Sequence, residues 1–130
     1  MNYYYDIQVK DAFEGTKEKV IEALSKEGFG IITEINIKDT FKKKLDIDFR
    51  EYVILGACNP SFSHQALQSE DKIGTLLPCN VIIQQLDNGY VEVAAVNPLE
   101  SMKMINNPEL NRITATIRQK LVNALNSIIK

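Results

Sequence analysis

The chain has no tryptophan, a single histidine, only two cysteines and four prolines in 130 residues, and each scarcity removes a class of protein. Two cysteines cannot form the dense disulfide framework of a small secreted fold, and no CxxC pair or zinc-ligand spacing is present. One histidine, His64, makes every histidine-dependent mechanism rest on one position. GxGxxG, Walker, HExxH and GxSxG patterns are all missing, which removes the common nucleotide-binding and hydrolase readings. No uninterrupted apolar run approaches the ~18 residues that cross a bilayer. The opening Met1-Asn2-Tyr3-Tyr4-Tyr5-Asp6 lacks the positive start and apolar stretch of a secretory signal. A cytoplasmic location with Cys58 and Cys79 as reduced thiols is the resulting expectation. No excess of one charge is present either: 15 basic and 17 acidic residues leave a net charge of −2. The one basic cluster, Lys42-Lys43-Lys44, sits among Asp39, Asp46 and Asp48, so neither nucleic acid nor a membrane surface is an expected partner.

What is present is an average globular composition, 45% apolar and 25% charged, in a length suited to one domain with its own core. Tyr3, Tyr5, Ile7 and Val9 alternate as a half-buried strand does. Asp11 with Glu14 three positions on predicts a capping box, and Phe13, Val20, Ile21 and Leu24 form an apolar helical face that Gly28 is placed to end. Ile31, Ile32, Ile35 and Ile37 predict a second strand, and Asp39 to Leu45 a short surface helix. Tyr52 to Cys58 is apolar at nearly every position, the pattern of a strand buried on both faces. Asn59-Pro60 predicts a capped helix running to about Glu70. Cys79–Leu86 and Tyr90–Val96 read as a hairpin about Asp87-Asn88-Gly89, closed by Asn97-Pro98. Asn107-Pro108-Glu109 opens a last helix with Ile113, Ile117, Leu121, Leu125 and Ile128 on one stripe. The expected architecture is α+β: a mainly antiparallel sheet covered on one face by helices, the long C-terminal helix foremost, with any cavity between that helix and the sheet.

The segments Ile54-Leu55-Gly56-Ala57-Cys58-Asn59-Pro60, Ala66-Leu67, Ile73-Gly74 and Leu76-Leu77-Pro78-Cys79-Asn80-Val81 resemble the signature of the domain-of-unknown-function family 302. Gly28-Phe29-Gly30, Thr33-Glu34-Ile35 and Val96-Asn97-Pro98 with Met102 match the same pattern, although that family more often carries Asp at position 97. The resemblance covers nearly the whole chain. It implies a β-α-β4-α domain similar to the TATA-binding-protein class of fold, commonly a homodimer, and it implies no activity or cofactor. Fold likeness to a DNA-binding class carries no DNA binding with it.

Cys58 ends one strand and Cys79 begins the next. Antiparallel neighbours would put both thiols at one rim with Asn59, Asn80 and His64 close by. These four, Cys58, Asn59, Cys79 and Asn80, are the expected ligand-binding residues. Asn59 as a cap would set a helix amino terminus beside Cys58 and favour a thiolate. Cysteine is equally among the most buried residue types, so simple space filling competes with any role. His64 could join both thiols in a metal site, but a histidine near a helix start is commonly just surface. Ser61 and Ser63 read as first-turn helix residues, and Glu34 and Glu51 as solvated carboxylates rather than an acid–base pair. Three functions follow: a domain binding a small apolar or thiol-reactive ligand, an enzyme of thiol, sulfur or redox chemistry using Cys58 or Cys79, or a homodimeric structural or interaction module.

Overall fold

The computed structural model describes residues 2–129. Five strands form one wholly antiparallel sheet: β1 (Tyr4–Val9), β2 (Gly30–Asn36), β3 (Tyr52–Cys58), β4 (Cys79–Gln85) and β5 (Val91–Val96), in spatial order β1-β5-β4-β3-β2. Strands two to five meander, and the first strand returns to pair with the last. Between them run helices α1 (Phe13–Lys26), α2 (Ile37–Leu45), α3 (Pro60–Ser69), α4 (Pro98–Ser101) and α5 (Pro108–Ser127), with a 3-10 turn over Asp71–Leu76. The protein is an α+β fold with the expected β-α-β4-α frame. Among the described residues no helix is long and apolar enough to cross a membrane.

Strand alternation explains where the core lies. Val53, Leu55 and Ala57 of β3, Val81 and Ile83 of β4, and Val91, Val93 and Ala95 of β5 all point to one face, where they are almost fully buried. Val20, Ala23 and Leu24 of α1 and Ile117, Leu121, Ala124 and Leu125 of α5 cover that face. Each such aliphatic side chain contributes roughly 1.5–3 kcal/mol by leaving water, so α5 is held by its stripe more than by helix propensity. A smaller cluster, Ala66, Ile73, Met102 and Leu110, joins α3, the 3-10 turn, α4 and α5 beyond the end of the sheet.

The opposite face carries no helical layer over its middle, which corrects the expectation for β3. Tyr52 and Ile54 are only half-buried there, as one-sided covering of an antiparallel sheet allows. Gly56 on that face is nevertheless enclosed. A Cβ at this position would stand 2.2 Å from Thr33 Oγ1 and 2.9 Å from Pro78 Cγ, so no larger residue fits between β2 and the Leu77-Pro78 segment.

Three local expectations also change. Helix α1 begins at Phe13 with Ala12 as its cap residue and no side-chain cap; Asp11 instead accepts from the Ala12 amide and pairs with Lys19 at 2.6 Å. Helix α2 starts at Ile37, not Asp39, because the Asn36 side chain caps it by accepting from the Asp39 amide. Asn97-Pro98 does not merely close β5: Asn97 caps the short α4 by accepting from the Leu99 amide. Gly28 (φ 90°) ends α1 as expected, with the Phe29 amide reaching back to the Leu24 carbonyl.

Candidate functional site

The carboxyl end of β3 and the amino end of β4 are neighbours, with Ala57 directly opposite Cys79. Cys58 and Cys79 thus share one rim, and both line a hollow of about 300 Å³. Ala57, Cys58 and Cys79 form its sheet side, Phe62, Ala66 and Leu67 its α3 side, and Leu110, Ile113, Thr114 and Ile117 its α5 side. Phe29, Ile32, Leu77, Pro78, Pro98 and Met102 complete the lining. The hollow lies between α3, α5 and the sheet end, where the Asn59-Pro60 break turns the chain off β3 into α3. No charged side chain is part of the wall.

Asn59 is buried at the rim, yet its side chain does not cap α3. Its Nδ2 turns away and donates to the Glu27 carbonyl at 3.3 Å, against the bare Cα of Gly28, where a Cβ would stand 2.9 Å from that nitrogen. The residue ties the end of α1 to the start of α3. The other polar wall groups are also engaged internally. Ser63 Oγ donates to the Pro60 carbonyl at 3.2 Å and lies 3.5 Å from Cys58 Sγ, and Thr114 Oγ1 donates to the Asn111 carbonyl at 2.9 Å. A guest meets hydrocarbon, two sulfurs and very little unspent hydrogen-bonding capacity.

Both cysteines are free thiols. Enclosure in hydrocarbon, and secondarily the neighbouring Cys58, push the Cys79 thiol up from 9.0 to about 11, because removal from water disfavours the charged form. Cys79 is consequently a neutral thiol at physiological pH.

The remaining residues singled out in the sequence fall elsewhere. Asn80 pairs with Gly56 and is exposed on the opposite face of the sheet, the direct result of strand alternation. His64 is an exposed residue of α3 and does not line the hollow. Among the described residues no three His, Cys, Asp or Glu side chains converge as metal donors, so His64 is not brought into a donor set with the two thiols. Glu34 pairs with Lys17 at 2.6 Å and Glu51 with Lys38 at 3.6 Å, two separate surface contacts. On the open face a polar chain runs from Arg50 to Gln84 at 2.8 Å and from Gln84 to Glu92 at 2.7 Å. There a hydrogen bond shared with Asp6, with burial second, raises the Glu92 carboxyl. Leu67 and Met102 fall within the segments that carry the family resemblance, whereas for Phe62, Leu110 and Thr114 the only sequence signal is helical spacing on α3 and α5.

A five-stranded antiparallel sheet in this order, backed by two long helices and hollowed where α3 meets α5, defines the class: an α+β protein with an apolar pocket beneath its C-terminal helix. The chain belongs to the family described as Domain of unknown function DUF302, whose profile matches residues 5–128. It is similar to a solved structure, the crystal structure of an uncharacterized conserved DUF302 protein from Bacillus stearothermophilus, at 29% sequence identity and a TM-score of 0.89 over 95% of this chain and 96% of that one. A search of curated proteins returned no match.

Proposed function

We propose that the protein binds a small, predominantly apolar ligand in the hollow between the sheet end, α3 and α5. The observation that carries this reading is a preformed cavity of about 300 Å³, at the lower end of the range for small-molecule sites, whose wall is mostly hydrocarbon and whose Asn59 Nδ2, Ser63 and Thr114 groups already donate within the protein. Well-packed cores leave few voids larger than a water molecule, and a cavity walled by hydrocarbon gains more from an apolar guest than from water. Cys58, Asn59 and Cys79 belong to this site; Asn80 does not. A reducing, cytoplasmic setting suits two unpaired thiols in one wall.

The thiol-enzyme alternative draws no support from Cys79, because a nucleophilic cysteine needs a lowered pKa and this one is raised. The homodimer alternative has no specific observation in its favour.

Titration with the neutral fluorophore N-phenyl-1-naphthylamine tests the reading. Saturable binding at one site per chain is expected. Ala66→Leu and Ser63→Leu, each of which puts extra carbon into the hollow, should weaken it tenfold or more, with folding checked by circular dichroism. Overpacking at either position costs on the order of 1–3 kcal/mol, so two independent variants guard against a folding artefact. Affinity unchanged in both folded variants would place the fluorophore somewhere other than the hollow.

A further inference from the structure

A wall without charge says what the body of the ligand is; the mouth says what its head is. On α5 the cavity-lining positions Ile113 and Ile117 run along one flank, and Lys120 is the next residue on it, seven beyond Ile113 and three beyond Ile117. The Lys120 ammonium stands 6.0 Å from the centroid of the Phe62 ring, and Phe62 is itself a wall residue. The lysine is half-buried, as a long side chain with an apolar stem and a charged tip allows. Among the described residues it forms no ion pair, as is also true of Lys10, Lys43 and Lys44, but Lys120 is the one of these whose ammonium lies over a wall residue's ring. Inside the hollow, Ser63, Thr114 and the Asn59 amide donate to backbone carbonyls. The cation that contacts the wall is Lys120, over the Phe62 ring, and it is the charged group best placed to receive an anionic head.

Resting on the pocket reading above, we propose that the ligand is an anionic amphiphile, a carboxylate on an acyl chain. Its chain lies in the hollow, and its carboxylate meets the Lys120 ammonium over Phe62. A half-buried cation is screened less by salt than an exposed one. A partly exposed charge pair worth up to about 1 kcal/mol corresponds to about fivefold in affinity.

Calorimetric titration of the full chain with octanoate and with 1-octanol, which share an eight-carbon chain and differ in charge, separates head from body. Octanoate should bind about fivefold more tightly than octanol at low salt, and the margin should shrink as salt is added. Lys120→Met keeps the apolar stem and should erase the margin while leaving octanol within twofold; Lys120→Glu should reverse it. Octanol binding as tightly as octanoate, or an octanoate preference that survives Lys120→Met, overturns the head assignment and leaves the pocket standing. No binding of either molecule overturns the pocket reading itself, and this proposal with it.

Discussion

Cys79 shows how one side chain separates two functions that the sequence leaves side by side. Its sulfur faces the hollow, so part of its surface touches empty space, but everything around it is hydrocarbon or the second thiol. Ionisation there forfeits hydration without a compensating cation. The unfolded thiol ionises near 9.0 and the native one near 11, so between those values the unfolded chain has released a proton that the folded chain keeps. Stability from this source is intact below pH 9 and is lost as pH rises through 11. Urea denaturation across that window should show a falling midpoint, and Cys79→Ala should remove part of the slope. Alkylation of Cys79 by iodoacetamide at neutral pH should be slow and should accelerate about tenfold per pH unit, following the thiolate fraction. Rapid alkylation at neutral pH would restore the thiol-chemistry reading.

At the scale of elements, the helix starts divide into those a motif announces and those it misplaces. Asn107 caps α5 by accepting from the Glu109 and Leu110 amides, and its Nδ2 also holds the Ser69 carbonyl at 3.1 Å. Asn107→Ala should therefore cost about 1–2 kcal/mol. Asp11→Ala should cost clearly less than Asn107→Ala, because its exposed carboxylate caps nothing in α1 and only accepts from the Ala12 amide and pairs with Lys19. Equal losses in urea denaturation would mean that the two starts are built alike. The same contrast explains what was legible beforehand. Apolar alternation, the unbroken apolar run of β3 and helical stripes pointed to all five strands and the long helices; β1, β3, β4, β5, α1 and α5 each bury apolar side chains, whereas the edge strand β2 buries none of its residues. Asn36 turning α2 on two residues early, Asn97 nucleating α4, and Asn59 swinging to Glu27 instead of capping α3 were hidden. Asn36 and Asn97 accept from amides three and two residues on, a local choice that apolar periodicity does not register, whereas Asn59 takes a carbonyl that tertiary packing brings to it. The site was half-legible as well. Antiparallel pairing of β3 with β4 set the two thiols on one rim, but alternation sent Asn80 to the other face. A cavity against the last helix was expected, but which of its residues line it was not, since Leu110, Ile113 and Ile117 look identical to core residues in the sequence.

On the scale of the whole molecule, the two faces of the sheet have different jobs. One is sealed by α1 and α5 except where α3 and α5 part, and that gap is apolar, preformed and roomy enough for a small guest. The other is an open surface of tyrosines and a hydrogen-bonded polar chain from Arg50 to Glu92. The open face has its own depression of about 410 Å³, lined by polar Asn80, Gln84 and Glu92 beside its tyrosines; the apolar ligand is assigned to the hollow instead. Backbone amide shifts recorded by NMR on adding 1-octanol test that assignment most directly. The account predicts saturable shifts confined to Cys58, Ser63 to Leu67, Cys79 and the Leu110 to Ile117 turns of α5. Shifts centred on Tyr52, Ile82, Gln84 and Ala94 of the open face, or none at any amide, would contradict it.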